Sequence, residues 1–414
     1  MAPKFKAPRG TFDVLPEQAA QRERLLRAAR EIFHRSGYRG IITPNFEDTA
    51  LFERGVGKST DIVRKEMFTF EDKGGRSLTL RPEGTASICR AYVEHGMHKL
   101  PQPVKLAYQG PFFRHERPQA GRYRQFTQIG AEAIGSDSPL ADVEVITLLS
   151  DLVEELGVPG VELRIGSLGS LEARASYLEE LKSHLRSRSG ELSEDVRERI
   201  EINPLRAFDS DHPGTKTVMA DAPHLLDHLD EADTEHFAEV RELLTAASVE
   251  YVIDPTLVRG LDYYTRTIFS FVCDQLGAQS EIGGGGRYDG LIGQLGGPDT
   301  PAVGWAAGVE RILLALDEPV ELPAGDLFIA VESPDQRARA VALAAELRHH
   351  GLAVEIDLAG RSMKGQLKHA DRLNSRFTLT LKEGGESRLR EMATNDLQDV
   401  QPAEVLGLIR PRAE

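Results

Sequence analysis

The stretch PVKLAYQGPFFRHERPQAGRYRQFTQIGAEAIG, Pro103–Gly135, contains two extended runs separated by the polar tip HERPQAG. Apolar and polar residues alternate along both runs, and the tip has turn composition, so the spacing predicts an antiparallel hairpin. Side chains on a strand point alternately to opposite faces, which sorts the second arm by parity. Arg124, Phe126, Gln128, Gly130 and Glu132 share one face, and Thr127, Ile129, Ala131 and Ala133 share the other. The second set suits a core. The first joins an aromatic plane, an amide, a gap and a carboxylate, as a site for a small polar ligand would, although a solvated face could carry the same residues.

Working outward, PEQAAQRERLLRAAREIFHRSG reads as a helix with Pro16 in its first turn and Gly37 past its end. Leu25, Leu26, Ala29, Ile32 and Phe33 form its apolar stripe. GIITP reads as a strand that stops at Pro44, which has no N–H for a ladder. Pro139–Leu156 is predicted helical, with Ser138 as cap and Gly157 as stop. From about Leu171 to Ala247 the pattern is charged and helical, suggesting an inserted subdomain. TRTIFSFVCD, GGGGRYDGLI and AVGWAAGVERILLALD bring strand patterns back, and the last continues as a helix with Val309, Ile312, Leu313 and Leu316 on one face. EPVELPAGD has linker composition. Beyond it DLFIAV, a helix to His350, LAVEID, a helix near Met363–Leu373 and RFTLTL alternate as in a small α/β domain with a mainly parallel or mixed sheet.

A chain of 414 residues exceeds one hydrophobic core, so two or three domains are expected. With 40% hydrophobic residues it is globular in composition, and no apolar run approaches the roughly 18 residues of a membrane helix. MAPKFKAPRG lacks a signal-peptide core, and Cys89 and Cys273 are too far apart for a metal or redox motif, which together suggest a cytoplasmic protein with reduced thiols. The net charge of −15 argues against a general nucleic-acid coat protein. It leaves room for a local basic surface: Arg361–Arg390 holds eight Lys/Arg against three Asp/Glu, as either such a surface or an ordinary solvated helix face would.

Several residues could carry chemistry. Arg114, at the end of the first hairpin arm, could be a surface charge, or its planar fork could hold a phosphate. Arg311 lies among apolar residues in VERILLAL and could simply snorkel. RPEGTA, Arg81–Ala86, offers a carboxylate and a hydroxyl in a turn-prone setting. GGGGRYDG has no Lys-Ser/Thr ending and no dinucleotide-binding context, so it reads as close backbone approach beside a pocket. LVRGLDYYTRT, Leu257–Thr267, packs two arginines, an aspartate and two tyrosines behind a glycine. On a strand, Tyr263 and Tyr264 would face opposite sides.

Taken in order, these segments resemble the class II aminoacyl-tRNA synthetases, and specifically the histidyl-tRNA synthetase family. The three class II motifs correspond to GYRGIITPNFEDTALFERG, FFRHERPQAGRYRQFTQIGAEAIG and AVGWAAGVERILLAL, and the two histidine-specific signatures to LVRGLDYYTRT and GGGGRYDGL. The likeness runs from APRGTFDVLP to SMKGQLKHADR, with the insertion the more variable part. It implies a class II catalytic domain on an antiparallel sheet over residues 1–325, with the helical insertion at about 171–247, and an anticodon-binding α/β domain over 326–414. The implied activity is formation of histidyl-adenylate from ATP and L-histidine, then transfer of histidine to tRNA(His). By resemblance, Arg114 would hold the ATP α-phosphate and Arg311 the γ-phosphate, Phe126 would stack on adenine, and Glu116 would lie near its amino group. Glu83, Thr85 and Gln128 would hold the polar end of the amino acid, while Glu132 and Tyr264, with Tyr263 beside them, would bracket the imidazole. Arg259 would sit at the α-phosphate, where related synthetases often use a metal ion, with Gly260 letting the backbone turn; no protein side chain is assigned as a metal ligand, and Mg²⁺ would accompany ATP. Lys364, Lys368, Arg372 and Arg376 would neutralise tRNA phosphates, and a homodimer would form through the Pro44 strand and its helix.

The sequence departs from this pattern at Thr127, where many relatives have histidine, and after TLTLKEGG, where the chain is shorter than in many relatives. The rival reading is a non-catalytic, synthetase-like regulatory subunit of histidine biosynthesis. Such paralogues typically lack the last domain and the signature arginine, and this chain has both.

Overall fold

The computed structural model describes residues 5–57, 59–316 and 324–410. The chain divides into two compact units, Met1–Val320 and Glu321–Glu414.

The first unit is built on an eight-stranded sheet in the order Arg39–Gly40, Val104–Phe113, Gln125–Ile134, Ala302–Gly308, Glu281–Arg287, Thr265–Cys273, Val161–Ser167, Val252–Ile253. Its interior pairings are antiparallel, and only the two-residue strands at either edge pair in parallel. The hairpin closes in the register Val104↔Ile134 to Phe113↔Gln125. Parity then divides the sheet. Ile129, Ala131 and Ala133 join Trp305, Ala307 and Phe269 in a core covered by the Pro16–Arg35, Pro139–Leu156 and Val309–Leu316 helices. Burying Leu25, Ile32 and Phe33 of the first helix stabilises this face by roughly 1.5–3 kcal/mol per side chain. Ser138 accepts from Leu140 N at 3.3 Å and Gly157 is left-handed (φ 70°), so the second helix begins and stops where its caps require.

The opposite face carries Tyr108, Phe126 and Glu132. Thr85–Glu94 packs over it through Ile88, Cys89 and Tyr92, beside the insertion helix Leu171–Ser187. The insertion is helical, but its last helix, Glu231–Ala246, packs Phe237, Val240 and Leu244 into the main core instead of a core of its own. GIITP is less of a strand than its composition suggests: ladder pairing covers only Arg39–Gly40, extended by Ile41 N on Ala107 O at 2.8 Å. Thr43 O and Oγ1 instead accept from the buried Arg81 guanidinium, each at 3.0 Å, which draws the chain off the sheet edge.

In the second unit the strands Val354–Ile356, Leu327–Val331 and Phe377–Leu381 are parallel, and Ser387–Glu391 and Leu397–Asp399 continue the sheet antiparallel. The sheet is therefore mixed. Leu327, Phe328, Ile329 and Ala330 are all buried, as expected of a central parallel strand covered on both faces. Of the linker-like stretch before it, residues 318–323 lie outside the described residues.

Candidate functional site

A cleft of about 330 Å³ opens on the second face of the large sheet. The hairpin brings Arg114, Glu116, Arg122, Phe126 and Gln128 to it, the turn before Thr85–Glu94 brings Glu83 and Thr85, and the signature stretch brings Arg259, Tyr263 and Tyr264. Arg311 comes from the first turn of its helix. Of the residues proposed from sequence for this site, only Glu132 does not line the cleft. It lies beneath the cleft wall, fully buried.

Glu83 caps the Thr85–Glu94 helix, its carboxylate accepting from Thr85 N at 2.7 Å and Ala86 N at 2.9 Å. Burial raises its pKa in spite of these donors. Thr85 Oγ1 donates to Glu132 Oε1 at 2.8 Å, and the Tyr288 hydroxyl donates to Oε2 at 2.5 Å. Desolvation dominates here too, pushing the Glu132 carboxyl up to about 8. Gly304 makes room for this arrangement, because a Cβ there would run into the Glu132 carboxylate.

Arginines line the same cleft, and the guanidinium of Arg259 lies 5.7 Å from the centre of the Tyr264 ring. Arg114 is fixed through Nε on Pro82 O at 2.9 Å, and its guanidinium lies 5.4 Å from the centre of the Phe126 ring. Arg311 does not snorkel: Nε donates to Gly121 O at 3.0 Å and Nη1 to Glu281 O at 2.8 Å, tying the hairpin tip to the Glu281–Arg287 strand, one strand further along the sheet. Arg259 Nη1 pairs with Glu281 Oε1 at 2.7 Å. Burial opposes both charges, but their mutual attraction wins, so the Glu281 carboxyl is held below the usual range and Arg259 above its own. Arg122 lies 2.6 Å from Glu116. Among the described residues Gln128 Oε1 and Arg259 Nε are buried without a hydrogen-bond partner, which leaves polar capacity for a ligand.

The two tyrosines do not alternate. Leu257–Tyr264 is irregular and the strand starts at Thr265, so both rings line the cleft, 4.7 Å apart. The buried Arg174 of the Leu171–Ser187 helix holds this bend by donating to Tyr264 O at 2.7 Å. Gly260 is not left-handed, and the turn does not depend on its conformational freedom. The GGGG run does bring backbones close: a Cβ on Gly283 would stand 2.7 Å from Ala307 Cβ, and one on Gly284 2.9 Å from Arg259 Nη1. Thr127 faces away from the cleft. Its N–H donates to the Glu310 carboxylate at 2.9 Å and its hydroxyl accepts from Arg22.

Sequence reasoning missed Arg122, Arg206, Asp209 and Glu281, which line the cleft, and Tyr288, which holds Glu132. Arg122 and Tyr288 lie inside stretches already singled out, GRYR and GGGGRYDG. Nothing local marks Arg206 or Asp209. In the second unit Lys364, Lys368 and Arg372 are exposed on the Met363–Arg372 helix. Arg376 is separate from them: it lies beyond the helix, paired with Asp326 at 3.0 Å and donating to Arg410 O at 3.1 Å.

A family model described as histidyl-tRNA synthetase matches residues 10–312, and one described as an anticodon binding domain matches residues 326–412. The chain is 48% identical to the histidine–tRNA ligase of Rubrobacter xylanophilus over 405 residues, 95% of this chain and 96% of that protein. With the histidine–tRNA ligase of Mycolicibacterium vanbaalenii it shares 49% identity over 99% of this chain and 98% of the relative. In three dimensions it is similar to the apo histidyl-tRNA synthetase of S. aureus, with a TM-score of 0.82 and 36% identity over 98% of this chain and 99% of that one.

Proposed function

The chain belongs to the histidyl-tRNA synthetase family, and from that premise we infer how its cleft divides the work. The protein is a histidine–tRNA ligase: it joins histidine to ATP as histidyl-adenylate and passes histidine to tRNA. The observation that carries the assignment of residues is the meeting of Arg114, Arg259 and Arg311 with Glu83, Thr85, Gln128, Tyr263 and Tyr264 in one cleft.

The acidic, tyrosine-lined end takes the amino acid. Glu83 faces the ammonium group with Gln128 and Thr85 beside it, and Tyr264 reads the imidazole with Tyr263 next to it, backed by Glu132. Phe126 stacks on adenine, with Glu116 near its amino group. Attack of the histidine carboxylate forms an oxygen–phosphorus bond at the α-phosphate and releases pyrophosphate. Negative charge grows on the α-phosphoryl oxygens, where Arg114 and Arg259 act as preorganised cations, and Arg311 holds the γ-phosphate. A terminal ribose hydroxyl of tRNA then attacks the acyl carbon and AMP leaves. A site that pairs both imidazole nitrogens rejects apolar isosteres strongly, because its own polar groups would be left unpaired.

Among the described residues no group of three or more His, Cys, Asp or Glu could hold a metal by itself. Mg²⁺ would therefore come with ATP, with no protein side chain assigned as its ligand, and would neutralise phosphate charge there. Pairing into a homodimer through the segment around Pro44 is also proposed, supported by the exposure of Ile42 (93%) and Phe46 (49%) there. The cytoplasm is the proposed location, as the place where ATP, histidine and tRNA meet. Lys364, Lys368 and Arg372 are proposed to meet the tRNA backbone. ATP–pyrophosphate exchange that requires histidine, followed by histidylation of tRNA(His), tests the whole reading. A folded protein showing exchange without histidine dependence would refute it.

A further inference from the structure

The helical insertion reaches the cleft. Its short turn Pro204–Asp209 places Arg206 and Asp209 in the cleft lining. Arg206 Nη1 lies 3.6 Å from where a Cβ on Gly260 would stand, next in sequence to Arg259. The turn is pinned from both sides. Arg199 grips Asp61 with two bonds, at 2.9 and 2.7 Å, and Asn203 Nδ2 donates to Asp262 Oδ1 at 3.0 Å. Asp262 also accepts from Ser59 and lies between Arg259 and the two tyrosines in sequence. The insertion is thus docked on the segment that carries the reactive end of the cleft.

Arg206 pairs with Asp209, whose side chain is 41% exposed. Ion pairs at a wet rim contribute little, so a guanidinium there can exchange its carboxylate for a phosphate. Two other arginines of the cleft are arranged alike, Arg259 on Glu281 and Arg122 on Glu116. In each case a carboxylate holds a guanidinium in place where a polyanionic substrate enters.

We propose that Arg206, delivered by the helical insertion, is a further phosphate-binding residue of the reaction. The inference rests on the reading of the cleft given above. The phosphate has two possible sources with one chemistry: the β- and γ-phosphates of ATP, or the phosphate preceding the terminal adenosine of tRNA.

Arg206→Gln, Arg206→Lys and Asp209→Asn in the full-length protein separate these sources. Histidine-dependent ATP–pyrophosphate exchange reads the first, and single-turnover transfer from preformed histidyl-adenylate reads the second. Arg206→Gln is expected to raise either the KM for ATP or the tRNA concentration for half-maximal transfer about tenfold, the loss of one charge-assisted hydrogen bond, with the KM for histidine unchanged. Arg206→Lys recovers part of the loss. Asp209→Asn distinguishes binding from bracing. If the pair only braces the insertion, losing either partner does equal harm, whereas a phosphate ligand freed from Asp209 lowers the affected constant. Unchanged constants in both assays for Arg206→Gln, or equal losses in the Arg206→Gln and Asp209→Asn variants, overturn the proposal. A wild-type protein without histidine-dependent exchange would instead remove the reading beneath it.

Discussion

The Tyr288 hydroxyl donates to Glu132 Oε2 at 2.5 Å while Thr85 donates to Oε1, and the charge that acts on this carboxyl is another carboxylate, Glu83. Burial, with help from Glu83, pushes Glu132 up to about 8. A carboxyl with a raised folded-state pKa binds its proton more tightly in the folded than in the unfolded chain. Its contribution to stability is therefore full below the ordinary value of 4.5 and lost as pH rises through about 8. Glu132→Gln should flatten this part of the profile, so that Tm falls less between pH 5 and pH 9 than in the wild type. It should also raise the KM for histidine about tenfold or more, with little effect on ATP, because an amide accepts through one oxygen only, so the Thr85 or Tyr288 hydroxyl loses its acceptor beneath the cleft wall. Thermal melts across pH and calorimetry with histidine check the two parts; unweakened histidine binding would show that Glu132 has been misassigned.

Parity along Gln125–Ile134 was legible because strand alternation is local, and it sent Phe126, Gln128 and Glu132 to one face correctly. Depth was not legible. Glu132 lies beneath the cleft wall because Thr85 and Tyr288, 47 and 156 residues away in the chain, close over it. The same limit hid Arg206, whose place depends on Asn203 meeting Asp262 across 59 positions. The alternation rule misled only at Tyr263 and Tyr264, where Arg174 holds a bend in place of a strand.

Arg259 has one bond, to Glu281, and an unpartnered Nε among the described residues. Arg259→His should cut histidine-dependent pyrophosphate exchange by orders of magnitude, since losing one preorganised donor to developing charge costs roughly 3–4 kcal/mol. The circular dichroism spectrum and tRNA binding should stay near wild type. Exchange at the wild-type rate would rule out its place at the α-phosphate.

Arg287 and Asp142 form an ion pair with both side chains fully buried, joined by Ser136 O and Ser138 O. The imidazole of His236, 3.5 Å away, and the Arg287 guanidinium hold the Asp142 carboxyl below its usual range against strong desolvation. Asp142→Leu strands a buried guanidinium and should destabilise the unit by about 3–5 kcal/mol. The double variant Asp142→Leu, Arg287→Met should recover much of that loss. Urea unfolding of the three proteins measures the difference, and a double variant no better than the single one would show that packing, not unpaired charge, dominates.

The Met363–Arg372 helix packs Ala370, Met363 and Leu373 onto Phe328 and Ala330. That leaves Lys364, Lys368 and Arg372 exposed, while Arg376 is committed to Asp326. Three of the four cations proposed from sequence are therefore available to phosphates, and the fourth braces its own unit. Binding through phosphate contacts weakens as salt rises, with a slope set by the number of contacts. Lys368→Ala should lower that slope by roughly one without changing stability. Arg376→Ala should leave the slope alone and lower the stability of the Glu321–Glu414 unit, because the buried Asp326 carboxylate loses its partner. Removing all residues after Ala324 should spare histidine-dependent pyrophosphate exchange while impairing charging of full-length tRNA. If the truncated protein charges tRNA as well as the intact one, recognition lies in the catalytic unit alone, and the exposed lysines are an ordinary solvated helix face.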